Sequence, residues 1–228
     1  MKNALPRAVI FDWDNTLVDS WGAIAEAINQ TRARYGLQTW NRDEILIHCT
    51  RSARESFPDW FGDNWQKASE EYYETFMKVR ERMGINKALG ASELLEWLQQ
   101  KNIPAMVVSN KSGEHLRHEA VVLGWSKYFT SIVGARDAPR DKPSREHADQ
   151  ALLLAGLEEG PDIWFIGDSE IDIACARNAK CTPILIGTID DAEKYGAKLA
   201  FPDCRAVLDY LKEIPAEVEM SLRARRGI

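Results

Sequence analysis

Ala8-Val9-Ile10-Phe11-Asp12-Trp13-Asp14-Asn15-Thr16-Leu17 is the stretch whose reading decides the fold. Four apolar residues run without alternation into a polar cluster. A strand buried on both faces of a parallel sheet, ending in a loop, reads this way. The pattern recurs downstream. Pro104-Ala105-Met106-Val107-Val108 stops at Ser109-Asn110, and Ile163-Trp164-Phe165-Ile166 stops at Gly167-Asp168. Residues 131–135 and 183–187 form two further apolar runs, expected in the same sheet.

Between these runs, residues 93–98, 114–123, 144–154, 170–179 and 205–211 carry apolar positions at helical spacing. Strands alternating with helices predict an α/β fold with a doubly wound, mostly parallel sheet. Ligands of such sheets bind beyond the carboxyl ends of the strands, and here those ends carry carboxylates, a serine and an asparagine. Residues 20–83 break the alternation: 20–35, 42–48 and 64–82 are helical in pattern with no strand run between them. The expected organisation is an α/β core of residues 1–19 and 84–228, with a small all-helical module, 20–83, inserted. Trp21, Trp40, Trp60 and Trp65 in this module are half of the chain's eight tryptophans. They read as the module's own core, or as rings facing a substrate.

The remaining composition bounds the function. A chain of 228 residues with 45% apolar and 28% charged residues is an ordinary globular chain of one domain, or one and a smaller one. The net charge of −6 argues against a nucleic-acid binder. No apolar run nears the ~18 residues of a membrane span, and the first residues lack the apolar stretch of a signal peptide. The four cysteines form no C-x-x-C pair, so no zinc or thioredoxin-type signature is present, and without an export signal reduced thiols in a cytoplasm are expected. Arg223, Arg225 and Arg226 form a short basic tail, read as a solvated terminus.

The sharpest chemical feature is the pair Asp12 and Asp14. Two carboxylates two residues apart at a strand end repel each other and lose hydration, a cost that a divalent cation or a substrate proton relieves. One then serves as nucleophile while the other handles protons. The alternative is an Asx-rich turn. Ser109 and Asn110 offer a hydroxyl and an amide, and the Lys142 ammonium can neutralise phosphate charge. Gly167-Asp168-Ser169-Glu170-Ile171-Asp172 adds two more carboxylates, although Ser169-x-x-Asp172 also reads as an acidic capping box. His115-Leu116-Arg117-His118 reads as a helix surface.

In this order, the four groups resemble the motifs of the haloacid dehalogenase superfamily, in its branch of phosphoglycolate phosphatase-like hydrolases. Asp12-x-Asp14-x-Thr16 resembles the first motif, Ser109 the second, Lys142 the third and Gly167-Asp168-x-x-x-Asp172 the fourth. Asn15 stands where the family usually has glycine, and Asn tolerates a left-handed backbone better than most residues. The resemblance implies a Mg²⁺-dependent phosphatase of a small phosphorylated metabolite. Asp12 would attack phosphorus, and Asp14 would protonate the leaving alkoxide and then activate water. Asp12, the Asp14 carbonyl and Asp168 would hold Mg²⁺, while Asp172 would stand behind them or position Lys142. Thr16, Ser109, Asn110 and Lys142 would bind the phosphoryl group. Residues 20–83 resemble the family's cap, in which Arg51 or Arg54 would meet a substrate anion. Pairing of these arginines with Glu55 or Asp59 is the alternative.

Asp14 argues against dehalogenation, which has no alkoxide to protonate. Phosphonate cleavage needs a cap lysine, and the first lysine after Lys2 is Lys67, beyond the expected specificity loop. A phosphosugar mutase would keep every motif and is the runner-up. A non-catalytic binding protein would have no need of all four motifs.

Overall fold

The computed structural model describes residues 4–49 and 53–215. Along the chain come β1 (Ala8–Phe11), β2 (Val18–Asp19), α1 (Trp21–Arg34), α2 (Arg42–His48), α3 (Ala53–Phe61), α4 (Trp65–Met83) and β3 (Asn86–Lys87). Then follow α5 (Ala91–Gln100), β4 (Ala105–Ser112), α6 (Gly113–Val122), β5 (Phe129–Ala135), α7 (Glu146–Leu154) and β6 (Ile163–Gly167). The last are α8 (Glu170–Asn178), β7 (Thr182–Ile186), α9 (Ile189–Tyr195), β8 (Leu199–Phe201) and α10 (Cys204–Lys212).

Six strands form one sheet in the order β5-β4-β1-β6-β7-β8, and every pair in it is parallel. The α/β fold expected from the apolar runs is the one observed. β1 lies between β4 and β6, so its four residues are covered on both faces. Side chains of a strand alternate between faces. Accordingly Val9 and Phe11 join a core with Leu94, Leu98, Val207 and Leu211, while Ala8 and Ile10 pack with Ala148, Ala151 and Cys175 on the other side. The pairing of β4 with β5 is irregular between Val108 and Ser112, the segment carrying Ser109, Asn110 and Lys111. Such irregularities re-aim side chains where a strand leaves its ladder.

The chain leaves and re-enters this sheet through the short antiparallel pair β2–β3. Helices α1 to α4 pack on one another around Ile28, Ile45, Phe57 and Phe61, with Ala23, Ala27, Phe76 and Val79 forming a second apolar group. Trp21, Trp40, Trp60 and Trp65 are all partly buried against the first group.

Besides the short pair β2–β3, three elements differ from the sequence expectation. Residues 53–61 form a helix although Pro58 lies inside it, where its ring withholds one amide from the helical ladder and interrupts the pattern. β8, with three residues, is too short to stand out as an apolar run. α9 carries a single buried residue, Ala192, so no apolar stripe announces it. The four cysteines are all free thiols, and among the described residues no helix is long and apolar enough to cross a membrane. Arg51 and the basic tail at 223–226 lie outside the described residues.

Candidate active site

The loop after β1 is pinned before it is charged. The Asp12 amide donates to the Ile166 carbonyl at 2.8 Å, fixing the strand end to β6. Trp13 turns fully into the core, its indole N–H donating to Glu119 Oε2 at 2.7 Å. Asn15 takes the left-handed backbone, with φ of 64°. Its side-chain oxygen accepts from the Ser20 amide at 3.1 Å. Glycine at this position supplies the backbone angle and not that bond. Asp12 and Asp14 are thereby presented on one loop, with Trp13 between them pointing away.

Lys142 lies between two carboxylates. Its Nζ donates to Asp12 Oδ1 at 2.6 Å and to Asp172 Oδ1 at 2.6 Å, all three groups buried. Asp172 also closes a capping box: its Oδ2 accepts from the Ser169 amide and hydroxyl, and its own amide donates back to the Ser169 hydroxyl. The two sequence readings of Asp172, helix cap and partner of Lys142, describe the same side chain. Gly167 makes this possible, because a Cβ there would stand 2.3 Å from Asp172 Cβ.

Burial pushes the Asp12 carboxyl up to about 7, opposed by Lys142 and reinforced by Asp172. Asp168 is raised well above the usual carboxylate range, first by burial and then by Asp172 and Asp12. Burial disfavours the Lys142 ammonium, but Asp12 and Asp172 outweigh it and hold its pKa above that of an ordinary lysine. Asp12, Asp168 and Asp172 each offer a carboxylate oxygen, and the three atoms lie within 4.8 Å of one another. Three converging carboxylates answered by one ammonium leave excess negative charge in a poorly hydrated place. A hard divalent cation such as Mg²⁺ suits that oxygen-only donor set.

Asp14 is placed differently from Asp12. Its carboxylate accepts from Lys111 Nζ at 3.0 and 3.2 Å and from the Ser20 hydroxyl, with Arg80 of α4 at 3.7 Å. Burial alone would raise its pKa, but Lys111, the Ser20 hydroxyl and Arg80 prevail and hold it below the usual value. Glu119, buried on α6, ties these cations together. It lies 3.1 Å from Arg80 Nε and 3.2 Å from Lys111 Nζ, besides the Trp13 indole.

Sequence reasoning missed this group. Lys111 is legible in hindsight, since it lies two residues beyond Ser109 and so on the same side of an extended segment. Arg80 and Glu119 carry no local signal.

Other expected residues are placed as follows. Ser109 lines the cavity, 2% exposed, and its hydroxyl accepts from the Lys111 amide at 3.2 Å. Both ends of the Asn110 side-chain amide bind the Lys142 main chain, the Nδ2 donating at 3.1 Å and the Oδ1 accepting at 2.9 Å. Thr16 faces inward, fully buried, and its carbonyl accepts from the Cys204 thiol at 3.3 Å. Arg54 pairs with Asp141 at 2.9 Å. His115 corrects the helix-surface reading. It lines the cavity, its ring 5.3 Å from that of Tyr73, because α6 presents its first turn to the strand ends.

The cavity over Asp12, Asp14, Ser109, Lys142, Asp168 and Asp172 measures about 640 Å³. Its opposite wall comes from α1 to α4, so the helical module stands over the strand ends.

Comparison with known proteins supports the same picture. The model of the haloacid dehalogenase-like hydrolase family matches residues 9–186. A phosphoglycolate phosphatase of Chromobacterium violaceum is 27% identical over 90% of this chain and 96% of its own. Another, of Aquifex aeolicus, is 30% identical over 76% of this chain and 81% of its own. The crystal structure of a hydrolase of the same superfamily from Ehrlichia chaffeensis is 29% identical. It superposes with a TM-score of 0.65, covering 93% of this chain and 98% of that one.

Proposed function

We propose that this chain, which belongs to the haloacid dehalogenase-like hydrolase family, is a Mg²⁺-dependent phosphatase that cleaves small phosphomonoesters through a phosphorylated Asp12. The observation that carries the proposal is the division of labour between two nearby carboxylates. Asp12 is held by Lys142 beside Asp168 and Asp172, whereas Asp14 is held apart by Lys111 and Ser20.

In this reading an Asp12 oxygen attacks phosphorus as the bond to the leaving oxygen breaks, and Asp14 delivers a proton to that oxygen. A water then attacks phosphorus, Asp14 takes its proton, and the Asp12–phosphorus bond breaks to release inorganic phosphate. Phosphoryl transfer demands positioning and charge neutralisation more than covalent chemistry. Lys142 supplies positive charge beside the nucleophile, with Asp172 fixing its direction and Asn110 its backbone. Ser109 offers its hydroxyl to a phosphoryl oxygen. Asp14 rests as a charged group, and an incoming phosphate dianion beside it raises its affinity for the proton it must carry. Mg²⁺, held by Asp12, Asp168 and the Asp14 carbonyl, would neutralise the charge shared by the nucleophile and the phosphoryl oxygens.

Residues 1–19 and 84–228 form the catalytic core in this reading, and residues 20–83 the cap that covers it and shields the reaction from water. Phosphoglycolate, named by the relatives, is the first substrate to try.

The test is phosphate release from a panel of phosphorylated metabolites, with and without Mg²⁺, beside the Asp12→Asn protein. Release that needs both the metal and Asp12 is the expected result. Interconversion of sugar phosphates without net phosphate release would overturn the hydrolase reading in favour of a mutase.

A further inference from the structure

The cavity is much larger than a phosphoryl group attached to a two-carbon acid. Its volume of about 640 Å³ falls in the range of sites that enclose drug-sized organic molecules. One wall of this space is aromatic. The wall supplied by α1 to α4 presents Trp21, Phe57, Trp60, Tyr72, Tyr73 and Phe76, and among the described residues it offers no Lys, Arg or His. Of the described arginines, Arg54 on α3 pairs with Asp141 and Arg80 on α4 with Glu119 and Asp14.

Two details indicate an occupant with a ring. Trp21 lines the cavity while only partly buried. Among the described residues it makes no ring–ring contact, although Phe57, Trp60, Tyr72, Tyr73 and Phe76 all do. At the cavity's edge Leu46 and Ile47 are 37% and 70% exposed, an apolar rim continuous with the aromatic wall.

We infer that the physiological substrate class is phosphomonoesters whose leaving group carries a planar aromatic ring, bound by the helical wall with Trp21 as its stacking face. This inference rests on the phosphatase reading and deepens it.

The test compares phosphomonoesters of primary alcohols that differ in whether the leaving group carries an aromatic ring. Adenosine 5′-monophosphate is set against ribose 5-phosphate, and benzyl phosphate against 2-phosphoglycolate, in Mg²⁺ with the full chain. Dissociation constants of the same four compounds are measured by calorimetry on the Asp12→Asn protein. The expected result is a kcat/KM about tenfold or more higher for the ring-bearing member of each pair, carried by KM, as stacking of one base on aromatic side chains supplies. Trp21→Leu should bring the ratio down severalfold. Ile47→Ser, at an exposed position, should lower it without threatening the fold.

Hydrolysis with no preference for the ring, or with 2-phosphoglycolate preferred, would overturn the inference and leave the phosphatase reading standing. Tighter binding of the ring-bearing compounds with no hydrolysis would overturn the phosphatase reading and leave an aromatic site. Neither hydrolysis nor preferential binding would sink both.

Discussion

Lys111 Nζ stands 3.0 Å from Asp14 Oδ1, joining residues 97 positions apart in the chain. The same ammonium lies 3.2 Å from Glu119 and 4.3 Å from the Phe76 ring centroid. A cation so placed both fixes where the Asp14 carboxylate points and keeps it charged at rest.

Replacing Lys111 with Met should therefore raise the Asp14 pKa, since burial would no longer be opposed by its strongest counter-charge. As a base Asp14 must be deprotonated, so the acid limb of the kcat–pH profile should move to higher pH. A loss of about tenfold in kcat is expected, against roughly 10²–10⁴ for Asp14→Asn itself. Steady-state kinetics across pH 5–9 would decide it, and an unmoved acid limb would show that Lys111 does not act through Asp14.

Glu119 is 1% exposed and faces Arg80, Lys111 and the Trp13 indole. Removing one partner from a buried ionic group leaves the others uncompensated, at about 3–5 kcal/mol. Glu119→Ala should lose about that much stability in urea unfolding, while Glu119→Gln, which keeps the shape and one acceptor, should lose less. Equal losses for the two would mean that packing rather than charge is at stake.

Gly167 admits no side chain, with Asp172 Cβ 2.3 Å from where a Cβ would be. Gly167→Ala must push Asp172 away from Lys142. Overpacking of this kind costs about 1–3 kcal/mol, and displacing a reacting constellation by an ångström costs about 10²-fold in rate. A variant with near-normal kcat would show that the Lys142–Asp172 contact is dispensable.

Asp12 is pushed up to about 7 and Asp168 is raised as well, burial being the first cause for both. Acids raised on folding stabilise the metal-free protein below their unfolded pKa, near 4, and that contribution fades as pH rises through the folded value. Mg²⁺ reverses the trend because it binds the ionised carboxylates and must displace protons at lower pH. Calorimetric melting should show a larger Mg²⁺-induced rise in Tm at pH 8 than at pH 6. A pH-independent rise would place the ion away from these carboxylates.

Much of the site was legible because its residues sit at strand ends, and buried parallel strands announce themselves as unbroken apolar runs. Asp12, Ser109 and Asp168 each follow such a run, and the sheet brings those ends together. Lys142 lacked that support and was placed by its order among the motifs. Asn110 shows the limit: the amide at the right place in sequence binds the Lys142 main chain at both ends. Arg54 shows it again, since its partner Asp141 lies in a loop of the core that no helical spacing connects to α3.

What the sequence determined by itself was local in origin: the apolar runs, the helices between them, the capping box at Ser169 and the loop that presents Asp12 and Asp14. Periodicity and short-range hydrogen bonding suffice for these. Only the tertiary structure decided that Arg80 from α4, Glu119 from α6 and Lys111 from β4 meet around Asp14. It alone put the aromatic wall of α1 to α4 opposite the carboxylates at the strand ends. Charges buried together must be balanced wherever the chain's packing brings them, and pairs such as Arg80–Glu119 and Asp14–Lys111, 39 and 97 positions apart, leave no trace of that balance in local pattern.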